Sequence, residues 1–200
     1  MGSVTAAREH DVEIARRAAD GDRAAQRELF QAQRRSVHHT LFRILGSNRD
    51  MEDLVQDAFI EIFRALPSFR GESTLSRWCQ TITTRVAYLA ISRRKPATVE
   101  LGLVEDIVAD PSPDAARVAR ARDAARRLYA ALDRLDAKKR IAFALAVIDG
   151  LPLREVAKLT ESTTFATKTR VWRARREIDK RAQNDPVLRD YLGALVGGDR

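Results

Sequence analysis

Cysteine is almost missing from this chain: Cys79 stands alone among 200 residues. That excludes an internal disulfide and leaves no cysteine pair at metal-ligand spacing. The histidines, His10, His38 and His39, have no companion at ligand spacing either. Structural or solvated roles are expected for them, with no metal and no cofactor. Glycine, with 9 residues, and proline, with 6, are scarce. Long stretches rich in Ala, Leu, Arg and Glu then favour helix by propensity, and no alternating strand pattern or internal repeat is visible. No apolar run is long enough to span a bilayer, and the N-terminus lacks the charged-then-apolar pattern of an export signal. A cytoplasmic chain without membrane insertion is expected.

What the chain does have is positive charge: 36 Lys and Arg against 28 Asp and Glu, a formal +8. A polyanionic partner follows, nucleic acid first, with charge kept only for solubility as the bland alternative. Hydrophobic content of 44% and charged content of 32% fit a folded globular chain. Its length suits one medium domain or two small ones.

The longest break in helical pattern is Lys95 to Asp114, with Pro96, Pro111 and Pro113. Glu100, Glu105, Asp106, Asp110 and Asp114 make it acidic. So long a structureless segment is uncommon inside one domain, and it reads as a flexible acidic linker. The expected division is 1–95, a linker 96–115, a domain 116–185 and a tail 186–200. Before the linker, a short helix is expected over Val12 to Ala19, and longer ones over Arg23 to Leu45, from Asp50 to Pro67, and from Leu75 to Arg94. Asp50 is a plausible N-cap. After the linker, Val118, Ala121, Ala125, Leu128, Leu132 and Leu135 mark an amphipathic helix. An apolar stretch from Ile141 to Ile148, a short helix from Pro152 to Leu159 and a basic helix from Thr163 to Arg181 follow. Val187 to Val196 suggests one more short helix.

Three segments carry chemistry. The second half ends as short helix, tight turn and basic helix, the order of a helix-turn-helix reader. On the last helix, Thr164, Thr167, Val171, Ala174 and Ile178 form an inward stripe. Lys168, Arg170, Arg173, Arg175, Arg176 and Lys180 remain for phosphates and base edges. A merely solvated basic helix is the other reading. Asp50-Met51-Glu52-Asp53-Leu54-Val55-Gln56-Asp57 is acidic beyond what a helix dipole asks for, which points to a basic protein partner. Successive carboxylates face different ways with no His or Cys beside them, so neither an active site nor a metal is expected. Aromatic and basic groups, Trp78, Tyr88, Arg77, Arg85, Arg93 and Arg94, mark the helix before the linker. They suit single-stranded DNA, although Trp78 is equally at home in a core.

These segments resemble those of sigma factors of the extracytoplasmic-function (ECF) group of the sigma-70 family. Asp50-Met51-Glu52-Asp53-Leu54-Val55-Gln56-Asp57-Ala58-Phe59 resembles the acidic helix by which the group binds polymerase. Leu66-Pro67-Ser68-Phe69-Arg70-Gly71-Glu72-Ser73, with Trp78 and Ile82, resembles its promoter-melting segment. Gly150-Leu151-Pro152-Leu153-Arg154-Glu155-Val156-Ala157 and Lys168-Thr169-Arg170-Val171-Trp172-Arg173-Ala174-Arg175 resemble its second-domain helix-turn-helix. The ordered set spans roughly Leu29 to Arg181.

The resemblance implies an all-α protein with a region 2 bundle and a region 4 helix-turn-helix, and no catalysis. It implies core RNA polymerase (largest-subunit clamp helices and flap), promoter DNA and usually an anti-sigma factor as partners. Asp50, Glu52, Asp53, Leu54, Gln56, Asp57, Phe59 and Phe63 would meet polymerase. The loop Phe69, Arg70, Gly71, Glu72, Ser73, Thr74 would capture a flipped base of the −10 element. Arg77, Trp78, Arg85, Tyr88, Arg93 and Arg94 would hold its strand. Thr163, Thr164, Phe165, Thr167, Lys168, Arg170, Arg173 and Arg176 would read the −35 duplex. The chain departs from the group's habit at Arg85 (usually Asn), Leu89 (usually Asp), Thr160-Glu161 (usually Leu-Gly) and Phe165-Ala166-Thr167 (usually Gly-Thr-Val). Those departures sustain a second reading, a sigma-like interaction protein without normal promoter recognition. A stand-alone helix-turn-helix repressor is a third, but it leaves the acidic helix unexplained.

Overall fold

A computed structural model describes residues 2–93 and 115–197, all-α with no strand among them. The acidic segment expected as a linker lies outside the described residues up to Asp114, as do Arg94 and Lys95. Two compact units result: residues up to Leu41 with Asp50–Ala87, and Phe42–Arg49 with Tyr88 onward.

The first unit is built from α1 (Gly2–Ala19), α2 (Arg23–Leu45), α3 (Met51–Ala65), a 3-10 turn (Leu66–Ser68) and α4 (Leu75–Arg93). Its buried side chains include Ile14, Ala15, Ala18, Leu29, Val37, Leu41, Ala58, Phe59, Ile62, Leu75, Cys79 and Ile82. They recur at helical spacing on each segment, so burial of one stripe per helix drives assembly. Helix α1 starts well before the expected Val12. It ends in a Schellman turn, with Gly21 at φ +90 between the bonds Gly21 N–H to Ala18 O and Asp22 N–H to Arg17 O. Asp50 does not cap α3. It sits at φ +57 with no side-chain cap bond, a left-handed turn position that aspartate tolerates better than most residues.

The second unit contains α5 (Ala115–Leu132), α6 (Ala137–Phe143), a π-helical turn (Ala144–Ile148), α7 (Leu153–Leu159), α8 (Thr164–Ala182) and α9 (Pro186–Gly197). The expected tail is thus a packed helix. Leu188 and Leu192 of α9 share one core with Leu128, Leu132, Phe143, Ala174, Ile178 and Ala182. Side chains start three of these helices. Asp136 accepts from Lys139 N–H at 2.9 Å, Thr163 from Ala166 N–H at 3.1 Å, and Asp185 from Leu188 N–H at 3.1 Å.

The turn between α7 and α8 repeats the Schellman geometry that closes α1. Ser162 N–H reaches Ala157 O at 2.9 Å and Glu161 N–H reaches Lys158 O at 3.2 Å. Here the left-handed position, φ +46, belongs to Glu161 instead of glycine. The helix-turn-helix geometry is kept, and the side chain bears the strain. Glu161→Gly is therefore expected to stabilise the second unit by about 1 kcal/mol. A raised urea midpoint with an unchanged slope is the readout. An unchanged midpoint would mean the turn holds Glu161 without cost.

Candidate polymerase and nucleic-acid surfaces

Capping and burial decide which faces stay free. On α3, Met51, Ala58, Phe59 and Ile62 turn inward. Glu52, Asp53, Gln56 and Asp57 are left exposed, with Leu54 and Phe63 half-buried. Asp53 and Asp57 are one helical turn apart and share a face. Ile60, 45% exposed, lies nearby and was not among the expected contacts. Phe59 was expected at the surface but is buried, its ring 4.5 Å from that of Phe30 and 6.0 Å from that of Phe63. It supports the acidic face from beneath.

The loop before α4 is held at both ends. Phe69 meets Trp78 edge-on at 5.4 Å, which leaves Trp78 half-buried. Thr74 Oγ1 accepts from Arg77 N–H at 3.2 Å, opening α4. Arg70, Glu72 and Thr74 are exposed, Gly71 and Ser73 half-buried. On α4, Arg85, Tyr88 and Arg93 are exposed while Arg77 is half-buried, its guanidinium 3.4 Å from Gln80 Oε1. Leu89, 45% exposed, shares the outer side with Tyr88. Arg94 falls outside the described residues. Cys79 offers no reactive thiol. Burial, with the Asp11 carboxylate adding to it, pushes its pKa up to about 12.

In α8, Thr167, Ala174, Ile178 and Ala182 are buried, and α6, α7, α5 and α9 pack around the helix. Thr164, read from the sequence as part of the inward stripe, is exposed, and Val171 is only half-buried. Thr167 was expected to contact DNA but is fully buried. Its hydroxyl donates to Thr163 O at 3.0 Å and lies 3.0 Å from Ser162 Oγ, so it braces the helix start. The outward face carries Phe165, 81% exposed, with Lys168, Arg173 and Arg176. Thr163 is also exposed and Arg170 half-buried. Trp172 was not expected there. It is 55% exposed, and Arg176 lies 4.9 Å above its ring. Its place seven residues after Phe165, two turns on the same face, was the sequence signal. Among the described residues, no cluster of His, Cys, Asp and Glu is arranged to hold a metal, and no helix is long and apolar enough to cross a membrane.

The faces fall in the same segments that comparison with known proteins picks out. A family model described as Sigma-70 region 2 matches residues 29–96, and one described as Sigma-70, region 4 matches residues 125–178. The ECF RNA polymerase sigma-E factor of Escherichia coli strain K12 is 27% identical over 187 residues, covering 90% of this chain and 96% of that one. The ECF RNA polymerase sigma factor SigE of Mycolicibacterium smegmatis is 30% identical over 181 residues, 87% of this chain and 65% of its own. In structure, the chain is similar to CnrH in complex with the cytosolic domain of CnrY. The TM-score is 0.56 at 22% identity, over 95% of this chain and 99% of that one. It is also similar to the sigma factor RpoE from Bartonella quintana in complex with the anti-sigma factor NepR. There the TM-score is 0.52 at 20% identity, over 87% and 98%. With both regions in order and ECF relatives along nearly its whole length, this chain belongs to the sigma-70 family as an ECF sigma factor, a protein of transcription initiation.

Proposed function

We propose that the two domains, expected at 1–95 and 116–185, divide promoter recognition between them once the chain is bound to core RNA polymerase. The observation that carries this is the pairing of opposite faces in one chain. An exposed carboxylate face on α3 suits a basic protein surface, and an exposed aromatic and cationic face on α8 suits duplex DNA. In this reading Glu52, Asp53, Asp57 and their apolar neighbours Ile60 and Phe63 dock on the clamp helices of the largest subunit. The loop from Phe69 to Thr74 takes a flipped base of the −10 element, and Trp78, Arg85 and Tyr88 hold its strand by stacking and charge. Lys168, Arg173 and Arg176 meet phosphates of the −35 duplex. Phe165 and Trp172 offer apolar contacts to thymine methyls, with Arg170 at a base edge. An anti-sigma protein is a further partner in this reading, since the Bartonella quintana relative is described in complex with one.

Run-off transcription from a genomic fragment library, with core polymerase and with or without this protein, tests the reading. Discrete transcripts that appear only with the protein are expected. Polymerase binding without any new transcript would instead favour the sigma-like interaction protein. Leu89, standing exposed where the group usually has Asp, is the residue to examine first in that event.

A further inference from the structure

Helix α1 precedes the stretch matched to region 2, and its buried side chains Ile14, Ala15 and Ala18 fix it to the first unit. Two further residues of α1, Asp11 and Val12, reach the loop that leads into α4. Leu75 is the first residue of α4, and its N–H has no acceptor within the helix. The carboxylate of Asp11 accepts that bond at 2.8 Å, from 64 residues away in sequence. The bond is charge-assisted and sits at the positive end of the helix dipole. Thr74 supplies the local cap to Arg77, so α4 is started by two acceptors from two different elements.

The neighbouring Val12 meets the middle of the same loop. Gly71 stands at φ +70, and a methyl group built on it would come within 2.7 Å of Val12 Cγ2. Gly71 is therefore glycine for two reasons, its backbone angle and the closeness of α1. Asp11 holds the end of the loop and Val12 its centre, while the Phe69–Trp78 contact holds its beginning.

We infer that α1 is the positioning element of the Phe69–Thr74 loop, with Asp11 and Val12 as positioning residues for base capture by the ECF factor. This rests on the reading of that loop as the −10 base pocket. Asp11 and Val12 touch no DNA in it. They fix the backbone that does, so losing them should blur discrimination of the captured base rather than weaken polymerase or strand binding as a whole.

The test uses holoenzyme assembled from core polymerase and the full chain. The probe is a fluorescent non-template-strand oligonucleotide covering the −10 element of a promoter found by the run-off screen, and the same strand carrying one abasic site at a time. Wild type is expected to lose tenfold or more in affinity at one position. Asp11→Ala should shrink that penalty below threefold while binding the abasic strand within twofold of wild type. Asp11→Asn, whose amide oxygen still accepts a hydrogen bond, should restore most of it. A general loss of folding would lower binding to every strand alike and leave the ratio standing. Val12→Ala, a milder change, is measured alongside and should also shrink the penalty. It decides the matter should Asp11→Ala fail to assemble into holoenzyme. A full wild-type penalty in an assembled variant overturns the inference. Absence of a penalty at any position in wild type overturns the reading of the loop instead.

Discussion

Reversing two charges on α3, Asp53→Lys with Asp57→Lys, is expected to lower affinity for core polymerase at least a hundredfold. Both carboxylates are exposed, share one helix face, and lie beside the exposed Ile60 and half-buried Phe63. A desolvated charge-assisted bond is worth about 1.5–3 kcal/mol, so losing two removes about 3–6 kcal/mol. At about 1.4 kcal/mol per factor of ten, that is two to four orders of magnitude. Reversal also places repulsion where attraction was, so the neutral pair Asp53→Asn with Asp57→Asn should lose less. The cost to folding is small. Asp53 stands in the first turn of α3, where the dipole is worth about 0.3–1 kcal/mol to a carboxylate, and Asp57 lies beyond it. The comparison is a titration of labelled protein against core polymerase at fixed salt, beside a thermal melt of the free protein. Unchanged affinity in the reversed variant would detach α3 from the polymerase interface.

The same helix shows where sequence reasoning stops. Helical spacing in the sequence puts Leu54, Ala58, Ile62 and Ala65 on one stripe of α3, and Ala58 and Ile62 of that stripe are buried, because 3.6 residues per turn is a property of the backbone. It did not tell how deep each aromatic sits. Phe59 and Phe63 are one turn apart, yet one is buried beneath Phe30 and the other stays half-open. Depth depends on the neighbouring helix, which no local spacing encodes. Caps divide in the same way. The start of α8 at Thr163 was read from the sequence, and its cap is local, since acceptor and amide lie within one turn of sequence. Asp11 capping Leu75 was not legible, because the partner is brought from a remote helix. Asp50 had the right chemistry and position for a cap but took a left-handed turn instead.

In the second domain, Glu161 was legible as the unusual turn residue, and the fold keeps the left-handed position regardless. The hydrogen bonds from Glu161 and Ser162 to Lys158 and Ala157 hold the turn, so the geometry does not depend on glycine. Thr167 carried the opposite lesson. The resemblance placed it among the DNA contacts while helical spacing placed it on the inward stripe, and the structure follows the spacing, burying it one turn after Thr163. Trp172 is 55% exposed, so burial does not account for its ring, which lies under Arg176 and faces the DNA in the proposed reading.

Leu188→Ala with Leu192→Ala is expected to unfold most of the second unit at 37 °C while α3 still binds polymerase. Both residues lie on α9, beyond the stretch matched to region 4, where the sequence suggested one more short helix within a C-terminal tail. They are 2% and 8% exposed and pack in one core with Leu128, Leu132, Ile178 and Ala182. A buried Leu→Ala change costs about 2–5 kcal/mol through lost transfer energy and the cavity left behind. The two sites are one turn apart and share neighbours, so their costs will not simply add. Even about 5 kcal/mol in total approaches the whole stability of a small domain, about 5–15 kcal/mol. Asp185 and Arg127, paired at 3.0 Å, fasten the start of α9 to α5 but are half-exposed and cannot replace that core. Ile178 of α8 loses its cover when α9 lets go, so the recognition helix is expected to lose order with it. The measurement is amide hydrogen exchange on the full chain, read separately for α3 and α8, beside −35 duplex binding by the holoenzyme. Protection in α8 should fall by two orders of magnitude or more, with α3 unchanged, and discrimination between −35 sequences should disappear. Wild-type protection in α8 would mean that α9 merely rests on the domain and that α5 to α8 form a sufficient core without it.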